Sequence, residues 1–460
     1  MALDGRGLEL TTESEAAAAA FETTVQRSLE YRADTADHMQ QVLEVDPGFA
    51  MGHCLKGLLL TGFQSTRMRG AIGECVAAAE AASGHTTWRE KANIAALKAM
   101  SEGRRRKACD IWEEILVKYP TDLLVLRHLT HALFWGGRSI ELRDSVARVV
   151  RDWDDALPGY GFMLGMYSFG LEETGEYCRA EELGRRAVEL NRNDLWAVHS
   201  VAHVLEMMGR LQDGIDWLTE SGPDWADRNP FKSHLWWHLA LYHVERGEFA
   251  RVLKLYDLAI RTEGSDFYIE IQNASSLLWR LDFLGVDVED RWEKLADTCE
   301  TRIGDMGLGF TTTHDMMALA MAGRDQAAQN LLAALREHVA SNDDYTAENL
   351  DCVTIPVCEA IVAYACKNYG TARQILSDSR DEFIRDGASH AQRDVYVQAM
   401  IESALRGGEM ELARALLGAR LETKPHGFGS WQKYAEALEA MGDRKAASAA
   451  RAKAAKYSVH

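Results

Sequence analysis

A short unit repeats along this chain of 460 residues. Each copy has an apolar segment with helical spacing, a turn that contains glycine, and a second segment with an aliphatic stripe. Clear copies are "DLWAVHSVAHVLEMMGRLQDGIDWLTE", "HLWWHLALYHVERGEFARVLKLYDLAI" and "WQKYAEALEAMGDRKAASAARAKAA". The chain has only 7 prolines, and long proline-free stretches rich in alanine, leucine, glutamate and arginine favour helix over strand. The repeat therefore predicts a fold built from pairs of helices.

The units recur at about 34 to 40 residues, which is the period of tetratricopeptide-like repeats. A single helical pair cannot bury its own apolar face, so neighbouring pairs must stack. We predict an all-α superhelical solenoid of tetratricopeptide-like helix-turn-helix pairs, roughly twelve of them, forming a single array over residues 1–460. Longer connections are expected near residues 221–231, 302–313 and 341–351. Glycines suited to the left-handed position after a helix recur in the turns at Gly209, Gly247, Gly323, Gly408 and Gly442.

Charge and cysteine usage exclude several classes of partner. The net charge is −19, whereas contacts with phosphates need a basic face, so we expect no nucleic acid. No apolar run is long enough to span a bilayer, so we expect no membrane. The 8 cysteines suggest no disulfide framework, which favours buried thiols in a reducing, cytoplasmic location. The alanine-rich segment 444–456 is expected to form a last helix, through which the chain could form a homodimer.

Histidines are placed in rows on the first helices of the repeats. His199, His203 and Glu206 are separated by four and three residues, which puts them on one helical face. His234 and His238 repeat this spacing in the next unit. If the array curls tightly, the first helices of all pairs face a common interior. Further polar residues on first helices are His314, Asp315, Gln392, Arg393 and Asp394.

Four segments carry a resemblance to a known family. They are "GMYSFGLEET" (165–174), "AVHSVAHVLEM" (197–207), "HLWWHLALYHVERGEFARVLKLYD" (234–257) and "HAQRDV" (390–395), in this order. With them the chain resembles the tetratricopeptide repeat protein 38 family over most of its length, most densely from residue 160 to 395. The resemblance implies an all-helical solenoid in a soluble, cytosolic protein, without a settled activity. Packing between repeats does not require such polar groups, so the motifs suggest a site.

One hypothesis for that site is a divalent metal. Two histidines four residues apart on a helix present two imidazoles together, and Glu206 could supply a third ligand. A metalloprotease would need glutamate directly after the first histidine, where Ser200 and Leu235 stand instead. The alternative is a set of histidines hydrogen-bonded in a polar interior, and we expect no cofactor as the default. The candidate ligands, should a metal bind, are His199, His203, Glu206, His234 and His238.

A second hypothesis is acid–base chemistry without a metal, of a hydrolase- or lyase-like kind. Histidine titrates near neutral pH, and a carboxylate can hold it in one tautomer. The candidate partners are Glu206, Asp315 and Asp394, with Glu172 and Glu173 as others. The candidate catalytic residues are His199, His203, Glu206, His238 and Asp394. The candidate ligand-binding residues are Tyr167, His234, Trp237, His314, Asp315, Gln392 and Arg393. Arg393 could bind a carboxylate or a developing oxyanion, although an Arg393–Asp394 ion pair between repeats is an equal alternative.

A third hypothesis involves no chemistry, because tetratricopeptide grooves can bind an extended protein or peptide. Trp237 and its neighbours would then be recognition groups, although aromatic residues at helical spacing usually pack between repeats. We favour a small polar ligand in a concave pocket lined by the histidine rows. Whether the protein is an enzyme stays open at this point.

Overall fold

The fold consists almost entirely of α-helices. A computed structural model describes residues 1–262 and 264–457, apart from the side chain of Asp224. Over this range the chain forms 25 α-helices and one pair of short antiparallel strands, β1 (Ala2–Leu3) and β2 (Glu9–Leu10). This confirms the predicted all-α solenoid, and the number of helices agrees with roughly twelve pairs.

The helices follow one another through short turns. The first thirteen are α1 (Glu15–Leu29), α2 (Thr35–Val45), α3 (Ala50–Thr61), α4 (Arg69–Ala82), α5 (Trp88–Ser101), α6 (Arg105–Lys118), α7 (Leu123–Trp135), α8 (Ser139–Val149), α9 (Tyr160–Glu173), α10 (Tyr177–Leu190), α11 (Leu195–Met207), α12 (Leu211–Ser221) and α13 (Phe231–Glu245). The others are α14 (Phe249–Leu255), α15 (Tyr268–Phe283), α16 (Arg291–Glu300), α17 (Gly309–Met321), α18 (Asp325–Ser341), α19 (Tyr345–Asn349), α20 (Ile355–Ala365), α21 (Tyr369–Asp378), α22 (His390–Arg406), α23 (Met410–Thr423), α24 (Phe428–Ala440) and α25 (Arg444–Tyr457).

The predicted glycine turns end the first helices of their pairs. Gly209 has a φ of 66°, and its N–H donates to the carbonyl of Glu206 at 3.0 Å. The N–H of Arg210 donates to the carbonyl of Leu205 at 2.9 Å. These bonds satisfy carbonyls that a helix end leaves open, and glycine adopts the left-handed position without strain. The same positive φ occurs at Gly247, Gly323, Gly408 and Gly442.

The array closes one superhelical turn and continues into a second that packs on the first. Contacts join residues 240, 209 and 218 positions apart in the sequence. They are the hydrogen bonds Ser65 Oγ–Asp305 Oδ2 (2.6 Å), Tyr345 OH–Gly136 O (3.0 Å) and Lys424 Nζ–Glu206 Oε1 (2.9 Å). Because first helices of both turns meet, the interior of the superhelix is filled with side chains.

The longer connections make several of these contacts between turns. The segment 221–231 pairs with the start of the chain, where the N–H of Asn229 donates to the carbonyl of Tyr31 at 2.7 Å. Asp305, in the connection before α17, accepts hydrogen bonds from Ser65 and from the N–H of Thr66. The three connections therefore join the two turns to each other.

Two of the connections are shorter than predicted. Helix α17 begins at Gly309, so the connection expected over 302–313 ends before its threonines. Thr311, Thr312 and Thr313 are buried, and tertiary packing outweighs the low helix propensity of β-branched residues. In the segment 341–351, residues 342–344 alone separate α18 from α19.

The first helices of the pairs lie inside the superhelix and the second helices outside it. In α11 and α17, nearly every side chain is buried, as expected of helices surrounded by other helices. The second helices α10 and α12 are buried along one narrow stripe. This arrangement directs the polar residues of the first helices inward.

The structure bears on two expectations, one about membrane-spanning helices and one about the cysteines. Among the helices of the described residues, none combines the length and the apolarity that crossing a membrane requires. All eight cysteines are free, but Cys178 and Cys366 are exposed, so the expectation of buried thiols is wrong for these two. Both stand at helix ends, where the side chain faces solvent and not the next repeat.

Candidate histidine–carboxylate site

Four imidazoles from two neighbouring inner helices meet inside the superhelix. His199 and His203 come from α11, and His234 and His238 come from α13. Each residue is at most 2% exposed, and one ring nitrogen from each lies within 4.8 Å of the others. The Nε2 atoms of His199 and His203 are 3.0 Å apart. We call these four residues the histidine cluster.

Three of the four imidazoles face an oxygen with Nδ1. These contacts are His203 Nδ1–Glu172 Oε2 (3.4 Å), His234 Nδ1–Asn273 Oδ1 (2.8 Å) and His238 Nδ1–Glu206 Oε2 (3.3 Å). An oxygen acceptor at Nδ1 favours the tautomer that carries its proton there. In that tautomer Nε2 is unprotonated and free to accept a proton or bind an ion.

Burial keeps three imidazoles of the cluster neutral, those of His199, His234 and His238. It lowers the pKa of His199 and His234 well below the usual value for histidine. It also lowers the pKa of His238, to about 4, although Glu206 acts in the opposite direction. These imidazoles are therefore uncharged near pH 7, which is the form that binds metal ions and accepts protons.

A second group of polar residues continues from His203 toward the surface. Glu172 and Glu173 end α9, and His390 begins α22 on the second superhelical turn. Ligand atoms of these three residues and His203 lie within 4.8 Å of one another. Glu172 is fully buried, whereas the side chain of His390 is 25% exposed. We call Glu172, Glu173 and His390 the carboxylate mouth, because it connects the histidine cluster to solvent.

The mouth holds an ion pair that makes no proper hydrogen bond. His390 Nε2 is 2.7 Å from Glu172 Oε1, but the angles do not fit a hydrogen bond. Burial raises the pKa of Glu172, but His390 and His203 outweigh it and lower that pKa to about 2. Burial lowers the pKa of His390, whereas Glu172 and Glu173 raise it, to about 9. Near pH 7 the mouth therefore contains a carboxylate and a protonated imidazole.

Buried polar atoms without a hydrogen-bond partner are concentrated here. They are both carboxylate oxygens of Glu172, Nδ1 of His199, Nδ1 of His203, Nε2 of His238 and Nε2 of His390. An unsatisfied buried group costs about 1–3 kcal/mol, so native proteins contain few of them. Such a concentration is typical of a site that binds something. Both the histidine cluster and the mouth have the composition and spacing to hold a metal ion.

Glu206 and Trp237 border the cluster without belonging to it. Glu206 divides its oxygens between His238 and the ammonium of Lys424, so it orients an imidazole and is not the third metal ligand of the sequence hypothesis. Trp237 stacks on His234 with ring centroids 5.1 Å apart, and its indole N–H donates to Ser276 at 3.1 Å. Both residues fix the positions of the imidazoles.

Residues Gln392, Arg393 and Asp394 of α22 reach other partners. Arg393 donates to the carbonyls of Gly387 and Ala388, and its guanidinium lies 3.9 Å from Glu173, at the edge of the mouth. The predicted alternative of an Arg393–Asp394 ion pair is not formed. The other contacts are Asp394 with Arg420 and Lys424, and Gln392 with Ser389 and Gln272.

Asp394 therefore differs from a catalytic group. Burial raises its pKa, but the charges of Arg420 and Lys424 lower that pKa well below the usual value. Both of its oxygens are engaged by Arg420, so it neutralises a buried cation. It is linked to the histidine cluster through Lys424, which it shares with Glu206.

Three other candidates lie outside the cluster and the mouth. His314 Nδ1 hydrogen-bonds to the carbonyl of Phe310 at 2.6 Å, within α17. Asp315 pairs with the guanidinium of Arg302 at 3.1 Å. The Tyr167 ring packs under the guanidinium of Arg179, 4.9 Å from its centroid. Local partners account for all three, so we leave them out of the candidate site.

Sequence reasoning missed His390 and undervalued Glu172. Glu172 and Glu173 had been considered only as possible partners of a histidine. His390 is the first residue of the motif "HAQRDV", which was the one available signal. Nothing in the sequence indicates that it lies beside a glutamate about 218 positions earlier. That contact depends on how far the superhelix rotates for each repeat.

The site is less open to solvent than the predicted concave pocket lined by histidines. The imidazoles of the histidine cluster are buried, and the partly exposed His390 marks the nearest surface. Two surface cavities elsewhere are lined by other residues, one around Lys98 and Arg104 and one around Arg6 and Tyr160.

No family model matches the chain. Among solved structures, the human IFIT1 dimer with m7Gppp-AAAA is similar at 14% identity, over 97% of this chain and 96% of that chain, with a TM-score of 0.36. The human IFIT1 dimer with PPP-AAAA is similar at 13% identity, over 97% of this chain and 96% of that chain, with a TM-score of 0.42. The structure of Naa15/Naa10 bound to HypK-THB is similar at 11% identity, over 95% of this chain and 68% of that chain, with a TM-score of 0.27. Similarity this low says nothing about the site.

Proposed function

We propose that this protein binds a small polar molecule at the carboxylate mouth and acts on it by acid–base chemistry of a hydrolase- or lyase-like kind. The observation that carries the proposal is the pair formed by Glu172 and His390. A fully buried carboxylate with no hydrogen bond stands against a partly exposed, protonated imidazole. A carboxylate that holds an imidazole protonated and in place, where the imidazole is open to solvent, is a common way to position a general acid.

Each group has a role that fits its state. His390 holds a proton near pH 7 because Glu172 and Glu173 raise its pKa, and its exposure lets it donate that proton to a bound molecule. The Glu172 carboxylate keeps His390 protonated and in place at 2.7 Å, and the ring of His203 faces that carboxylate from the buried side. Arg393 lies beside Glu173 and could hold an anionic group of the substrate.

The four segments that resemble the tetratricopeptide repeat protein 38 family support this assignment. One contributes Glu172 and Glu173, the next His199, His203 and Glu206, the third His234 and His238, and the fourth His390. Segments far apart in the sequence thus supply neighbouring side chains. We include membership of that family in the proposal on this ground.

The alternative is a non-enzymatic scaffold that binds a protein or peptide in its groove. The inner helices of the two turns contact each other, as Arg280 of α15 does when it donates to the carbonyl of Ala391 in α22 at 3.0 Å. A filled interior favours a small molecule over an extended peptide. The net charge of −19 likewise favours a small molecule over nucleic acid. A cytoplasmic location and a homodimer through α25 complete the proposal.

The test compares the wild-type protein with Glu172→Gln and His390→Gln. Each protein is incubated with an extract of small polar metabolites, and mass spectrometry records which compounds disappear and which appear. We expect the wild type to convert at least one compound, and both variants to do so at least about 100-fold more slowly, the usual contribution of a general acid or base. His85→Gln, which changes an exposed histidine, is the matched control and should behave as wild type.

Equal conversion by the wild type and both variants would overturn the acid–base role. So would the absence of any converted compound together with the capture of a stoichiometric protein partner, since the scaffold alternative predicts that result. Circular dichroism on each variant establishes that the fold is intact before rates are compared.

A further inference from the structure

We propose that His199, His203, His234 and His238 together bind one divalent transition metal ion of the zinc class inside the superhelix. The proposal concerns the histidine cluster, whereas the proposed function concerns the mouth. The two share His203 but can fail independently.

The geometry of the cluster fits a tetrahedral ion. With metal–nitrogen bonds of about 2.0–2.1 Å, tetrahedral nitrogens lie about 3.4 Å apart. In the cluster, the Nε2 atoms of His199 and His203 are 3.0 Å apart, and all four ligand atoms lie within 4.8 Å of one another. Small side-chain rotations bring such distances to the bonding value. The rings of His199, from α11, and His238, from α13, are already neighbours, with their centroids 5.0 Å apart.

The partners of the cluster match those of histidine metal ligands. A ligating imidazole usually donates its second N–H to a carboxylate or carbonyl oxygen, which fixes the ring and raises its basicity. Glu172 faces His203, Asn273 faces His234 and Glu206 faces His238 in this way.

The unsatisfied atoms point in the same direction. Nδ1 of His199 and Nε2 of His238 are buried and accept or donate no hydrogen bond. One proton at most lies between the Nε2 atoms of His199 and His203, which are 3.0 Å apart. A metal cation placed there would bind a lone pair of each nitrogen.

The ligand set selects the class of metal. Four neutral nitrogens suit zinc, copper, nickel and iron, whereas magnesium and calcium prefer oxygen. A tetrahedral arrangement favours zinc among these, and cobalt(II) can replace it as a spectroscopic probe. With four protein ligands the ion would be closed to substrate, so its role would be to fix the inner helices and the ring of His203 that faces Glu172.

The test uses the full chain, freed of metal with a chelator and then titrated with Zn²⁺ or Co²⁺ alone. We expect one ion for each chain by elemental analysis, and the visible absorption of tetrahedral cobalt. His234→Gln and His238→Gln should weaken binding at least about 100-fold, and Asn273→Ala about 10-fold through the orientation of His234. His243→Gln is the matched control, since this buried histidine of α13 pairs with Glu248 outside the cluster.

Failure of the wild-type protein to bind either ion would overturn the proposal, and this result does not depend on whether a variant folds. Binding that persists in both His234→Gln and His238→Gln would overturn it as well. Loss of metal binding in these variants with retention in His243→Gln supports it. Metal binding without any metabolite conversion would leave the metal site standing and remove the acid–base function; conversion without metal binding would do the reverse.

Discussion

Two inner helices, α11 and α17, each place a buried histidine beside a carboxylate, but the surroundings of the two histidines differ. Helix α11 places His203 beside the carboxylate of Glu172, and α17 places His314 next to Asp315. In α17 every one of these groups has a local partner: the carbonyl of Phe310 binds the imidazole, and Arg302 binds the carboxylate. Around α11 the imidazoles meet each other, and the carboxylate oxygens of Glu172 accept no hydrogen bond.

The contrast between the two helices indicates how a structural histidine differs from a functional one. Burial does not separate them, because His203 and His314 are at most 1% exposed. Satisfaction does, because a structural polar group is accompanied by a partner that offsets the cost of burial. In α17 the imidazole and the carboxylate each have such a partner, whereas His199, His238 and Glu172 keep buried atoms without a hydrogen bond, at a cost that functional groups often carry.

The largest effect is expected from breaking the ion pair of α17. Asp315→Ala should lower the free energy of unfolding by about 3 kcal/mol, because it leaves the buried guanidinium of Arg302 with only the more distant carboxylate of Asp305, at 3.7 Å. Urea denaturation measures the change. As the control, Asp257→Ala removes the half-exposed partner of Arg291 and should cost less than about 1 kcal/mol. Lost metabolite conversion in folded Asp315→Ala would mean that α17 belongs to the site after all.

A smaller effect, which depends on pH, is expected at the start of α11. Burial raises the pKa of Asp194 to about 7, although its carboxylate caps the helix by accepting from Ala197. A folded-state pKa above the unfolded one stabilises the protein at low pH, and this contribution is lost as the pH rises through 7. Asp194→Asn keeps the cap but cannot ionise, so its stability relative to wild type should rise by about 2 kcal/mol between pH 5 and 8.

Thermal unfolding across that pH range, followed by circular dichroism, tests the prediction for Asp194. A difference between Asp194→Asn and wild type that stays constant with pH would contradict it. A difference that grows as the pH falls would reverse its sign, and would mean that the carboxylate is stabilised in its charged form.

The smallest effect is expected from the histidine cluster itself. His199→Leu in the metal-free protein should change the free energy of unfolding by less than about 1 kcal/mol, because it removes the unpaired Nδ1 of His199 but also the Nε2 that hydrogen-bonds to His203. The leucine would lie among Phe169, Trp196 and Phe231, which surround the imidazole. Urea denaturation of chelator-treated protein measures it. Destabilisation by more than about 2 kcal/mol would place His199 with the structural histidines.

The repeat unit by itself determined the fold. Its period, its glycine turns and the scarcity of proline predicted the helical pairs, because these features act within a few residues of one another. The spacing of His199 and His203, and of His234 and His238, also predicted two rows on inner helical faces. Local periodicity is enough for such statements, since it depends on helix geometry alone.

Which polar residues form a site depends on contacts between repeats that are far apart in the sequence. The rotation between successive repeats brings His390 to Glu172 and Lys424 to Glu206, 218 positions apart in each case. Asp394 and Asp315 pair instead with cations close by in the sequence, Arg420 and Arg302. The curvature of the superhelix is the sum of small rotations between many successive pairs of helices, so no short segment of the sequence encodes it. The sequence could therefore place the histidines on inner faces, but not say which of them would meet.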